Sequence, residues 1–218
     1  MTSTTGTETY KKDFWTGERP KFAVPHYRLR KAARLVNRLA GDRPGTVLDV
    51  GCGPGTLGRL LRPTLTYYGL DLSVPEPTPN LREIDLTEGR IEFDDRRFDV
   101  VVAQGVFEYL GRHTGEKLAE IARIVAPGGR FVATYVNFDH RKPYIYTPYS
   151  NVQPHDVFRA QVAECFTVER VFPTAYNWNH GEPNRRWLQA VNMGFNLNIP
   201  LIGRRLAVEY FFVCSARR

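Results

Sequence analysis

The period of the apolar positions changes repeatedly along this chain. From Tyr27 to Ala40, Leu29, Ala32, Ala33, Leu35, Val36 and Leu39 recur at helical spacing with arginines and Lys31 between them, and Gly41 supplies a stop. Thr114 to Val125 repeats the pattern through Leu118, Ile121 and Val125. Other stretches are short and β-branched or alternate every second residue: Thr46 to Val50, Thr66 to Leu70, Leu81 to Leu86, Arg130 to Asn137, Thr167 to Phe172 and Ala207 to Ser215. The leucine-rich run Thr56 to Leu61 has helical spacing and predicts a helix directly after the first strand, and Gln153-Pro154-His155-Asp156 precedes another. Strands alternating with helices predict an α/β fold.

The turn between the first strand and that helix reads Asp49-Val50-Gly51-Cys52-Gly53-Pro54-Gly55. Glycines there allow positive φ and let a ligand lie against bare backbone, and a helix amino terminus would offer N–H groups. The dinucleotide spacing Gly-x-Gly-x-x-Gly fails, because Thr56 stands where its closing glycine belongs. Asp49 would repel a diphosphate but can pair with an ammonium group. Twenty residues after Gly51, Asp71 ends the second strand, where a carboxylate accepts ribose hydroxyls. Asp85-Leu86 offers an acceptor and an apolar contact for an adenine. A cationic nucleoside is therefore the expected ligand.

Through these residues the chain resembles the class I S-adenosylmethionine (SAM)-dependent methyltransferases of small-molecule type, from about residue 45 to 137 and more loosely beyond. Phe98 to Leu110 looks like that family's fourth strand and following loop, and Ile124 to Phe131 like its helix end, Pro-Gly-Gly turn and fifth strand. The resemblance implies a single-domain Rossmann-like sheet, mostly parallel with an antiparallel last strand and helices on both faces. It implies SAM as cofactor, with Asp49 and the turn Gly51, Cys52, Gly53 at the methionine part, Asp71 and Leu72 at the ribose end, Asp85 and Leu86 at the adenine, and Gln104 at the sulfonium. Tyr109 stands where many relatives carry histidine, and Ala126 replaces a common lysine.

The chain divides into an amino-terminal arm or lid (residues 1–26) and one domain (27–218), with an acceptor-site insertion at about 174–205 containing a helix near Arg185 to Val191. Aromatic residues cluster in the arm (Tyr10, Phe14, Trp15, Phe22), after the fifth strand (Tyr135, Phe138, Tyr144, Tyr146, Tyr149) and in the insertion (Tyr176, Trp178, Trp187). They could form an apolar lid or an extra core beneath long loops. His155 and Tyr109 are the candidate catalytic residues; His26, His113, His140 and His180 read as ordinary surface or pocket residues.

Length and 42% hydrophobic content suffice for one core. Three scattered cysteines indicate neither a disulfide framework nor a metal site, and with no signal peptide or long apolar run a cytoplasmic, non-membrane protein is expected. The net charge of +7 comes mostly from arginine, 24 of 30 basic residues, spread along the chain, so nucleic acid is not the expected partner. The composite expectation is a methyltransferase acting on oxygen or nitrogen of a small acceptor, such as an aromatic or glycosylated one. The alternatives are a nucleic-acid or macromolecule methyltransferase and a SAM-binding protein with non-methylating chemistry. Gln104 replaces the acid that catechol-type enzymes use for a metal. The Pro-Pro-aromatic loop of amino-methylating DNA enzymes, the Pro-Cys of cytosine-C5 enzymes and the radical-SAM cysteine cluster are all missing.

Overall fold

The computed structural model describes residues 27–74, 77–137, 152–176, 203 and 206–217. Among them, one sheet contains β1 (Gly45–Val50), β2 (Leu65–Asp71), β3 (Leu81–Glu83), β4 (Phe98–Gln104), β5 (Val125–Val136), β6 (Phe166–Tyr176) and β7 (Ala207–Ala216), in the order β3-β2-β1-β4-β5-β7-β6. The β1–β2, β1–β4, β2–β3 and β4–β5 pairs are parallel, and β7 runs antiparallel between β5 and β6. The expected fold stands, including the terminal hairpin, in which Val168 faces Cys214 and Val171 faces Phe212. The arm, the segment at 138–151 and most of the insertion, with His26, His140, His180 and the aromatic residues named above other than Tyr135 and Tyr176, which are buried, lie outside the described residues.

Strand alternation assigns each apolar residue to a face. Val47, Val100, Val102, Val132, Phe211 and Val213 pack beneath helix α1 (Tyr27–Ala40) through its Ala32, Ala33, Val36 and Ala40. Their neighbours Leu48, Val50, Val101, Ala103, Phe131, Ala133, Phe212 and Cys214 meet Leu118, Ile121 and Ile124 of α3 (Thr114–Ile124) and Phe158 and Val162 of α4 (His155–Cys165). Because both faces are covered, a one-residue slip would exchange two apolar sets without exposing either, so the register rests on shape complementarity and on polar ties. One such tie is Asp99, whose Oδ2 accepts the Thr46 N–H at 2.8 Å and holds the amino ends of β1 and β4 together.

Four boundaries differ from expectation, the first being β3, which ends at Glu83 where the alternation predicts strand to Leu86. Thr56 to Leu61 forms a turn and a 3₁₀ segment (Gly58–Leu60) instead of an α-helix. Six residues are too few to sustain an isolated helix, Gly58 disfavours one, and Pro63 follows. Gly58 serves packing instead: a Cβ there would lie 2.6 Å from the Tyr67 ring. β5 starts at Val125, ahead of the Pro-Gly-Gly turn, and absorbs it as an irregularity with Gly128 at φ 76°. β6 continues past Phe172 to Tyr176 because the pairing shifts register around Pro173, which has no N–H to give.

The chain leaves β1 toward β2 and β3 and returns to lay β4 and β5 on its other side. The carboxyl ends of β1 and β4 therefore flank a topological switch point, the crevice where open α/β sheets hold ligands.

Candidate active site

At this crevice Gly51, Gly53 and Gly55 take φ of 76°, 52° and 68°. Gly51 admits no substitute: besides its φ, a Cβ would enter the Val106 side chain from the loop after β4. The Gly51 and Cys52 N–H groups both donate to the Leu70 carbonyl, at 2.7 and 3.0 Å. Asp71 Oδ2 accepts the Gly53 N–H at 2.7 Å, so this carboxylate shapes the glycine turn as well as ending β2. Cys52 packs against Gly69, and burial pushes its thiol up, which makes it an inert wall.

Asp49 is buried at the end of β1. Its Oδ2 accepts the Tyr67 hydroxyl at 2.8 Å, whereas Oδ1 has no hydrogen-bond partner. Burial, reinforced by the Asp71 charge and opposed by the Tyr67 bond, pushes its carboxyl up to about 7. Gln104, ending β4, also holds a buried oxygen, Oε1, without a partner. Each unmet buried acceptor costs about 1–3 kcal/mol. Two such atoms beside a glycine cradle fit a ligand bearing N–H donors and positive charge, as the expected cofactor does. A diphosphate would meet Asp49 and Asp71 instead, and the three-residue 3₁₀ segment after the turn lacks the helix dipole that favours phosphate.

Leu72 follows Asp71 directly and is half-buried. The Ile84 N–H donates to the Asp71 carbonyl at 2.7 Å, which joins the loop after β3 to the end of β2 and brings Asp85 and the buried Leu86 to the same rim. Asp85 Oδ1 accepts both the N–H and the hydroxyl of Thr87, at 2.9 and 2.7 Å, and so caps its own turn.

Sequence reasoning missed a second polar group over β4, β5 and β7. Short helix α2 (Phe107–Leu110) carries Glu108, whose Oε1 accepts the Val136 N–H at 2.9 Å at the end of β5. Arg28, on the first turn of α1, places Nη1 2.8 Å from Glu209 Oε1 on β7. A Cβ on Gly105 would lie 3.6 Å from the Arg28 guanidinium, so this side chain crosses beside the residue after Gln104. Tyr109 belongs here too: burial and the Glu108 charge raise its phenol, and the Arg28 charge counters them. An acid within the otherwise apolar run Val106 to Leu110 was a visible signal for Glu108; Arg28 had none among so many arginines. His155 starts α4 with its ring 4.6 Å from Tyr210 and 5.3 Å from Phe212. It lies over β7, two strands or roughly 10 Å along the sheet from β4.

The methyltransferase domain family matches residues 24–192, and the chain belongs to that family. It is a class I SAM-dependent methyltransferase. A malonyl-[acyl-carrier protein] O-methyltransferase from Halalkalibacterium halodurans is 35% identical over 130 residues, covering 49% of this chain and 46% of that protein. The enzyme of the same name from Pseudescherichia vulneris is 30% identical over 116 residues, covering 48% and 44%. The match thus spans less than half the length of these relatives. Among solved structures, a TehB-like SAM-dependent methyltransferase from Corynebacterium glutamicum shares the fold at 18% identity, with a TM-score of 0.58 and coverage of 89% of each chain. The geranyl diphosphate C-methyltransferase of Streptomyces coelicolor does so at 14% identity, with a TM-score of 0.58 and coverage of 85% and 75%. Among the described residues, no helix is long and apolar enough to cross a membrane, and no group of three or more His, Cys, Asp or Glu could hold a metal ion.

Proposed function

We propose that the protein methylates an oxygen or nitrogen of a small-molecule acceptor at the crest between β1 and β5. Asp49 and the turn Gly51, Cys52 and Gly53 hold the methionine part of SAM, Asp71 and Leu72 the ribose end, Asp85 and Leu86 the adenine, and Gln104 the sulfonium. The observation that carries this assignment is the pair of unmet buried oxygens, Asp49 Oδ1 and Gln104 Oε1, beside a turn whose glycines leave the backbone bare. SAM supplies a methyl carbon already electrophilic on its sulfonium, so the chain's own task is chiefly to place the acceptor in line and keep water out.

Calorimetry tests the donor assignment. SAM and S-adenosylhomocysteine bind, NAD does not, and Asp71→Ala weakens both nucleosides; uptake of NAD in place of SAM overturns it. We assign Tyr109 and His155 to the acceptor as proton-handling or orienting groups. For His155→Ala the expected result is lower turnover at unchanged SAM affinity. Normal turnover leaves His155 as a packing residue of the Tyr210 and Phe212 face. The relatives, named as O-methyltransferases of malonyl-[acyl-carrier protein], fall within the oxygen class proposed. A nucleic-acid acceptor is the competing reading raised by the +7 charge, and steeply salt-dependent RNA or DNA retention is its signature.

A further inference from the structure

The cluster over β4, β5 and β7 is not needed to hold the donor, and its charges do not balance. Among the described residues it contains two buried carboxylates, Glu108 and Glu209, and one guanidinium, Arg28. Glu209 is satisfied on both oxygens: Oε1 by Arg28 at 2.8 Å and Oε2 by the Thr174 hydroxyl at 3.1 Å. Glu108 is satisfied on one. Its Oε1 takes the Val136 N–H, while Oε2 is buried with no hydrogen-bond partner, in a side chain only 3% exposed. Val136 faces Glu209 across the β5–β7 ladder, and Arg28 crosses beside Gly105, the residue after Gln104. Glu108 therefore belongs to the same carboxyl-end rim of β4 and β5 that carries Gln104, the residue assigned above to the sulfonium, on the side away from β1.

An acceptor-only oxygen beside a second carboxylate and a single cation calls for a partner that brings hydrogens and positive charge. A carboxylate acceptor would add a third negative group where Arg28 is already committed to Glu209. We propose that this cluster receives an acceptor amine as its ammonium ion and that Glu108 takes the proton that frees the nitrogen lone pair. The proposal rests on the methyl-transfer reading above and narrows its acceptor class. One proton passes from the ammonium to Glu108 Oε2, giving a neutral amine and a carboxylic acid. The nitrogen lone pair then forms the N–C bond as the C–S bond breaks with its electrons left on sulfur, giving a methylammonium and a thioether. Glu108 returns its proton to solvent, so each turnover releases one proton. Burial and the Glu209 charge push the Glu108 carboxyl up to about 7, against the pull of Arg28 and its backbone bonds, so it can both take and release a proton near neutrality.

The test uses sinefungin, an S-adenosylhomocysteine analogue that carries an amine where the transferred methyl sits. By calorimetry at pH 8, the wild-type protein should prefer sinefungin over S-adenosylhomocysteine by about tenfold or more. Glu108→Gln, which keeps the acceptor for Val136, should cut that preference to about threefold or less at unchanged S-adenosylhomocysteine affinity. In the wild type, the same preference should fall as pH drops below about 7, where Glu108 is protonated, and this arm needs no variant. Among the described residues, Glu209, Arg28, Tyr109 and Tyr135 are the other charged or titratable groups facing Glu108; the Arg28 guanidinium, its pKa raised, keeps its charge in that range, and the raised Tyr109 and Tyr135 phenols stay neutral. Equal affinities in the wild type, a preference untouched by Glu108→Gln, or transfer of a labelled methyl group to the carboxylate of a matched amine–carboxylate pair overturns the proposal. Failure of S-adenosylhomocysteine itself to bind overturns the donor assignment instead.

Discussion

The two halves of the crest are built in opposite ways. On the β1–β2 side, Asp49, the glycine turn and Asp71 lie within 23 consecutive residues, and each side chain is held by a near neighbour: Tyr67 bonds Asp49 and the Gly53 N–H bonds Asp71. On the β4–β5–β7 side, the pair Arg28 and Glu209 joins residues 181 positions apart, and Glu108 reaches across to Val136. A cofactor shared by a whole family can be held by one local motif. An acceptor peculiar to one enzyme is met where loops and distant elements converge, and such a site is easily changed without disturbing the first.

The largest effect is expected from Gly51→Ala. Alanine at φ 76° is strained, and its Cβ would press into Val106, which couples the two halves through the loops after β1 and β4. A combined cost of about 3 kcal/mol corresponds to roughly a 100-fold loss of SAM affinity. Wild-type affinity in calorimetry would show that the turn does not cradle the donor.

Arg28→Met tests the other half. It strands Glu209 beside Glu108 without their cation, but the Arg28 side chain is 24% exposed, so the full penalty of a buried pair does not apply. A loss of about 2 kcal/mol, or about 4–8 °C in melting temperature for a chain of this size, is expected. Adding Glu209→Gln should recover most of it, because the stranded charge is then gone. If the double variant is no more stable than the single, the ion pair does not organise this side.

This contrast also explains what the sequence made legible. The sheet and both helix-covered faces follow from periodicity, and the residues proposed for the donor from a motif whose members are close in the chain. Leucine spacing predicts a helix after β1 that the fold does not form, because the spacing carries no sign of the Tyr67 ring that packs against Gly58. Arg28, Glu108 and Glu209 become a cluster only once α1 lies over β7 and β5 pairs with β7. Periodicity correctly assigns Arg28 to a helix but carries no information about which strand end that helix reaches.

A smaller effect separates the halves by pH. Asp49 folds with its carboxyl raised from 3.8 to about 7, so between these values the unfolded chain has released a proton that the folded one retains. Without ligand, stability should therefore fall as pH rises through that window, Glu108 adding in the same direction. SAM binding should show the reverse, tightening from pH 6 to 8 by up to about tenfold per unit below the Asp49 midpoint, as the carboxylate that meets the ammonium forms. Asp49→Asn flattens the binding curve, whereas Glu108→Gln leaves its Asp49 component in place. A curve that keeps its slope in Asp49→Asn assigns the titration elsewhere.

The finest discrimination comes from Tyr67→Phe. The ring that covers Gly58 remains, so the fold should lose little; the hydroxyl that donates to Asp49 Oδ2 at 2.8 Å is removed, leaving the carboxyl with no protein donor. Because that bond opposes the effect of burial, its loss should move the Asp49 midpoint to higher pH and weaken SAM binding at pH 7 by about threefold, while binding at pH 9 changes less. The preference for sinefungin over S-adenosylhomocysteine should stay at its wild-type value, since both carry the ammonium assigned to Asp49 and only one carries the amine assigned to Glu108. An unmoved midpoint would mean that Tyr67 does not tune the donor carboxylate. A changed preference would mean that the two carboxylates act as one site, and the division of the crest into a local donor half and an assembled acceptor half would fail.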